Sequence, residues 1–172
     1  FTVVLAGQGP DEEAVKAKAD ELNVAEHVLF TGHLSDTHLL DGLYQAATLF
    51  PFPSRYDTFS LVIREAAAMY TPSVAIEGTA PAEPIAHEQN GLVCTDDGEK
   101  LGELLLKYMH DTEALTRMGQ AAHDTIPRDW DSILVKVRER YAALVARKDE
   151  AKMTERHAKL KAFMAGLRFI GL

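Results

Sequence analysis

The 172-residue chain has little cysteine, no excess of positive charge and no long apolar run. Its one cysteine, Cys94, rules out an internal disulfide and fits a reducing, cytoplasmic setting. In the run Gly91-Leu92-Val93-Cys94 it reads as a small buried strand residue rather than a nucleophile. A formal net charge of −8 excludes nucleic-acid binding through a general basic surface, but leaves room for a local nucleotide site. No stretch approaches the roughly 18 consecutive apolar residues of a membrane span. No secretory signal pattern, internal repeat or low-complexity tract is visible.

Metal and nucleophile patterns are equally scarce. There are seven histidines, but their spacing does not suit a metal. His87-Glu88-Gln89-Asn90-Gly91 opens like HExxH and then has glycine where the second histidine belongs. His33 and His38 span a turn and lack companions, so no metal is expected. Neither a GxSxG elbow nor a Walker A loop occurs.

What is present is a strand–helix alternation. With 47% apolar residues the chain can build one sizeable core. It opens not on Met but on Phe1-Thr2-Val3-Val4-Leu5-Ala6, already a strand, which raises the expectation of a fragment with earlier elements upstream. A turn at Gly7-Gln8-Gly9-Pro10 leads to a helix ending near Asn23. Residues 27–31 form a second strand, closed by Gly32. Ser35 or Asp36 caps a helix carrying Leu39, Leu40, Leu43 and Ala46. Thr48-Leu49-Phe50 is a short strand stopped by Pro51 and Pro53. A helix over 60–70 ends at Pro72, a strand covers 73–76, and a short helix is expected near 83–87. Asn90-Gly91 turns into the strand Leu92-Val93-Cys94. Helices over about 97–109, 111–124 and 129–148 complete an α/β, Rossmann-like reading: a parallel sheet with helices on both faces and long C-terminal helices.

The reading divides the chain into a Rossmann-like body over 1–148 and an amphipathic helical tail over 149–172. The tail holds five Lys/Arg against three Asp/Glu, and Met153, His157, Leu160, Phe163, Met164 and Leu167 share a helical face. It suits a helix packed on protein, an interfacial helix on anionic lipid at the inner face of a membrane, or an end without structure of its own.

Two turns invite a ligand. Gly7-Gln8-Gly9 resembles the start of a dinucleotide fingerprint, but the third glycine position is Glu12 and the next helix opens with acids. A tight turn and a backbone open to close ligand approach are both compatible with it. In SRYDTFSLVIREAAAM, residues 54–69, Asp57 and Glu65 stand eight positions apart around a helix start free of acids at 58–63. Such a start offers unpaired N–H groups and a positive dipole end to an anion such as a diphosphate. The blander alternative is that Asp57 caps the helix and Glu65 is a surface acid beside Arg64.

This segment resembles the E-x7-E motif of retaining GT-B glycosyltransferases of family 4. The order of neighbouring motifs agrees: Val4-Leu5-Ala6-Gly7-Gln8-Gly9-Pro10, Val28-Leu29-Phe30-Thr31-Gly32, Pro53-Ser54, Glu65-Ala66-Ala67-Ala68, Pro72-Ser73-Val74, Asn90-Gly91-Leu92-Val93 and Trp130. The resemblance covers about residues 2–148 and implies the C-terminal, donor-binding half of such an enzyme. It implies a UDP- or GDP-linked sugar as donor, no metal, and a hexose transferred to a glycan or lipid acceptor with retention. Asp57, the catalytic-site acid, would hold hydroxyls of the donor sugar, and Glu65 the ribose. Amides of Thr58, Phe59, Ser60 and Leu61 would face sugar and diphosphate. Gly7 and Gly9 would let backbone approach, and Gly32, His33 and Leu34 would meet the base.

The pattern departs from the family at Asp57 for Glu (a reach shorter by about 1.5 Å, one C–C bond) and at Ser60 and Tyr70 for glycines. The family's diphosphate-binding Arg and Lys and its acceptor domain are expected upstream. The fragment alone is therefore expected not to catalyse transfer. Open alternatives are a degenerate Rossmann-like interaction module and a related GT-B enzyme, such as a sugar-nucleotide epimerase or a glycogen-synthase-like enzyme.

Overall fold

The computed structural model describes residues 1–168, and for positions 149, 151 and 163–168 the backbone alone. The chain divides into two compact units, Phe1–Pro127 and the residues from Arg128 onward.

The first unit alternates strand and helix. In order it holds β1 (Val3–Ala6), α1 (Glu12–Glu21), β2 (Val28–Gly32), α2 (Thr37–Ala46), β3 (Phe50–Phe52) and α3 (Leu61–Ala68). β4 (Ser73–Ile76), β5 (Gly91–Cys94), α4 (Gly98–Tyr108) and α5 (Thr112–Thr125) follow. Every strand pair is parallel, as short helical crossovers require. Hydrogen bonding joins the strands into two sheets, β1–β2 and β3–β4–β5.

β4 explains the layering. All four of its residues are buried, so it reads as a continuous apolar run and not as an alternation. Side chains on neighbouring strand positions point to opposite faces. Val74 joins Leu92, Tyr108, Leu115 and Met118 in one core cluster. Ala75 joins Ile63, Ala67, Ala122 and Ile126 in the other. Helices therefore cover both faces, and α5 serves both clusters. Cys94 lies buried on β5 against the Ala75 carbonyl, and burial pushes its thiol pKa up.

Capping follows the acids. The Asp36 carboxylate, rather than Ser35, accepts the amides of His38 and Leu39 at the start of α2. Asp97 and Asp111 do the same for α4 and α5.

Two local expectations change. β3 runs through Pro51 to Phe52, because it is an edge strand that, among the described residues, pairs with β4 alone. In place of a helix over 83–87, a 3-10 turn spans Ala80–Ala82 with Pro81 in its first turn.

The second unit is the helix α6 (Trp130–Arg168), which continues through residue 148 without a break. Met153, His157 and Leu160 are exposed on it. The rest of the apolar tail face, Phe163, Met164 and Leu167, lies outside the described side chains. No described helix is long and apolar enough to cross a membrane.

Candidate functional site

In a parallel sheet, ligands meet the carboxyl ends of the strands. The residues singled out from sequence all lie at such ends, in two sets. The first set closes β1 and β2. The Gly7 amide donates to the Gly32 carbonyl at 2.9 Å. Both glycines hold left-handed backbone, with φ of 136° and 65°, which side chains disfavour. A Cβ added at Gly9 would meet open space. His33 is exposed and Leu34 half-buried.

The second set runs from the end of β3 into α3. Asp57 Oδ1 accepts the Phe59 amide at 3.0 Å and the Ser60 amide at 2.8 Å. These bonds, Ser60 first, hold the Asp57 carboxyl below the usual carboxylate range. Two of the four amides assigned to a ligand from sequence are thus taken by Asp57. Further in, the amides of Leu61 and Val62 have no hydrogen-bond partner among the described residues. They are the orphan donors at the positive end of α3. Thr58, Phe59 and Leu61 are exposed, so this end is open to solvent.

Ser60 takes the helix N-cap position with φ of 52°, in the left-handed region. It is 2% exposed, and its hydroxyl, although beside Asp57, makes no hydrogen bond of normal geometry. The far end of α3 carries a second non-glycine residue in left-handed backbone. Tyr70 has φ of 63°, its amide reaches the Ala67 carbonyl at 3.1 Å, and the Thr71 amide reaches Ala66 at 2.9 Å. That is the paired C-terminal cap usually built on glycine. Stacking on His123, with ring centroids 3.9 Å apart, offsets part of its strain.

Glu65 is half-buried one turn into α3. It is not a surface partner of Arg64. The Arg64 guanidinium donates to the Ile126 carbonyl at 2.8 Å and lies over the Phe59 ring. Glu65 Oε2 instead accepts the Tyr44 hydroxyl at 3.3 Å. Sequence reasoning missed Tyr44, Val62 and Arg55. Arg55 pairs with Asp96 through Nε at 2.6 Å and a second nitrogen at 2.9 Å, tying the loop after β3 to the loop after β5. The offset of 41 residues between them leaves no local signal.

Among the described residues no group of three His, Cys, Asp or Glu side chains could hold a metal. The HExxH-like stretch is structural. His87 Nδ1 accepts the Val93 amide, and Glu88 accepts from Lys107 and from the Tyr108 hydroxyl.

Comparison with known proteins bears on the family and the fold. Residues 1–125 match the family described as Glycosyl transferases group 1. The chain is 30% identical over 150 residues to the glycogen synthase of Mycobacterium tuberculosis, covering 87% of this chain and 36% of that protein. It is 26% identical over 147 residues to the GDP-mannose-dependent alpha-(1-6)-phosphatidylinositol monomannoside mannosyltransferase of the same organism, covering 78% and 37%. The chain therefore spans about a third of the length of these relatives. In fold it is similar to Anabaena HepE in complex with UDP, with a TM-score of 0.67 at 21% identity, covering 85% and 41%. It is also similar to the C-terminal domain of a group 1 glycosyl transferase from Francisella tularensis, with a TM-score of 0.65 at 21% identity, covering 73% and 67%. The chain belongs to the group 1 glycosyltransferase family and has the fold of the C-terminal domain of its GT-B members.

Proposed function

We propose that this chain is the nucleotide-sugar-binding part of a retaining hexosyltransferase that acts on a glycan or lipid acceptor. One observation carries the reading. The open end of α3, with the free amides of Leu61 and Val62, lies between Asp57 and Glu65 at the carboxyl end of β3. A diphosphate at that helix end gains from two N–H groups and the dipole without meeting an acid in the first turn. A donor's sugar then falls toward Asp57 and its ribose toward Glu65. The leaving diphosphate is the group on which charge develops, so the amides stabilise it as the bond breaks. The GDP-mannose dependence of one relative and the UDP bound to HepE are chemically consistent with this. Transfer itself is proposed to need residues and an acceptor-binding domain outside these 172 residues, and no metal.

Titration with UDP-, GDP- and ADP-sugars, followed by amide NMR shifts, tests the reading. Shifts centred on Leu61 and Val62 are expected. No response at millimolar nucleotide would overturn it.

The bonds from Phe59 and Ser60 to Asp57 favour a second reading, a module that no longer binds donor. There the Asp57 carboxylate keeps the two amides permanently. The same titration separates the two readings.

A further inference from the structure

We infer that Tyr44 is a positioning residue for ribose recognition: its hydroxyl fixes Glu65 and leaves the other carboxylate oxygen to take the ribose diol. The inference rests on the donor-binding reading above and adds the residue through which Glu65 acts.

A carboxylate on a helix normally has several rotamers and loses side-chain entropy when a ligand fixes one. Glu65 has a fixed partner instead. The Tyr44 hydroxyl donates to Oε2, and Oε1 has no hydrogen-bond partner among the described residues. No cation pairs with Glu65 among them either, since Arg64 is engaged with Ile126 and Phe59. The half-buried acid is thus oriented by a neutral donor that leaves its charge in place. A lysine or arginine there would compete with ribose hydroxyls for the second oxygen.

Tyr44 is itself held rigidly. It is buried on α2, with its ring edge-on to Phe50 at 5.2 Å between centroids. Its carbonyl accepts the buried Thr71 hydroxyl at 2.6 Å, just past the end of α3. The ring and the backbone are both anchored, so the hydroxyl is presented from a fixed place. Burial first, and then the Glu65 charge, push the phenol pKa up to about 12. The group stays a protonated donor throughout the neutral range.

The test compares UDP and GDP with their 2′,3′-dideoxy counterparts by calorimetry on the full chain, as wild type, Glu65→Gln and Tyr44→Phe. Wild type is expected to prefer the ribonucleotide. Tyr44→Phe is expected to weaken ribonucleotide binding by a few-fold, up to about tenfold, the scale of one ordinary hydrogen bond. Its affinity for the dideoxy nucleotide should not change. A purely structural Tyr44 would weaken both nucleotides together, and that result overturns the inference. So does a Tyr44→Phe protein that discriminates as wild type does while Glu65→Gln does not, with the ribose role of Glu65 left standing. A wild type that does not discriminate overturns the ribose role of Glu65 and this inference with it. Absence of any nucleotide binding overturns the donor-binding reading. Should Tyr44→Phe fail to fold, the Tyr44 ionisation in Glu65→Gln gives the answer. A fall from its raised value supports the coupling, and an unchanged value overturns it.

Discussion

The Asp57 carboxylate sits 2.8 Å from the Ser60 amide and takes its hydrogen bond. Because the bond favours the charged form, the folded-state pKa is lowered. The resulting stability is fully present above the unfolded value of about 3.9 and is lost as pH falls through the folded value. Thermal melts from pH 2 to 7 should show wild type losing stability at acid pH more steeply than Asp57→Asn. Superimposable profiles would show that the contact contributes nothing.

Ser60→Gly should raise the melting temperature. The substitution relieves left-handed strain of about 1 kcal/mol and removes a buried hydroxyl without a partner. For a chain of this size about 1 kcal/mol corresponds to roughly 2–4 °C. Differential scanning calorimetry checks this; a lower melting temperature would mean that the hydroxyl has a partner in solution.

Two glycines inside helices should respond with opposite signs. A Cβ at Gly102, in α4, meets nothing within 4 Å. Gly102→Ala is therefore expected to stabilise the protein by up to about 1 kcal/mol through helix propensity. A Cβ at Gly119, in α5, overlaps the Tyr70 carbonyl. Gly119→Ala should cost about 2 kcal/mol or more, since the obstacle is backbone. Urea denaturation of both variants reads the difference.

Asn90→Ala should destabilise by about 2–3 kcal/mol, the cost of stranding buried polar groups. The Asn90 side chain accepts the Ala86 amide and donates to the Pro84 carbonyl and the Thr125 hydroxyl. It is 7% exposed, so water cannot readily replace these bonds. Guanidinium unfolding of the variant measures the loss; a change below about 0.5 kcal/mol, typical of surface sites, would show that water enters.

Much of the fold is legible because strand and helix periods differ and prolines and glycines mark most boundaries. The run Ser73-Val74-Ala75-Ile76 announces a buried parallel strand by composition alone. Pro51 misleads, because whether a proline ends a strand depends on which edge it faces, and that is a tertiary fact. The Asp57–Glu65 spacing is visible, but the engagement of Asp57 with Phe59 and Ser60 is a choice of side-chain rotamer. Tyr44 lies 21 residues before Glu65 and carries no mark of its own. Ser60 and Tyr70 are visible as departures from glycine, whereas their retained left-handed backbone is not.

The two sheets differ in how well they are covered. β4 is wholly buried, while Val3 and Leu5 of β1 are exposed beside an open apolar groove of about 390 Å³ lined also by Val15, Leu22 and Val28. Poor apolar cover lowers the free energy of local opening. The amides shared by β1 and β2 should therefore exchange with deuterium well before those of β4. The glycine turns at Gly7 and Gly32 ride on the less covered sheet, whereas Asp57 precedes and Glu65 lies within α3, which packs in the well-covered core. Any ligand that touched both would act as a clasp, slowing exchange in β1 and β2 far more than in β4.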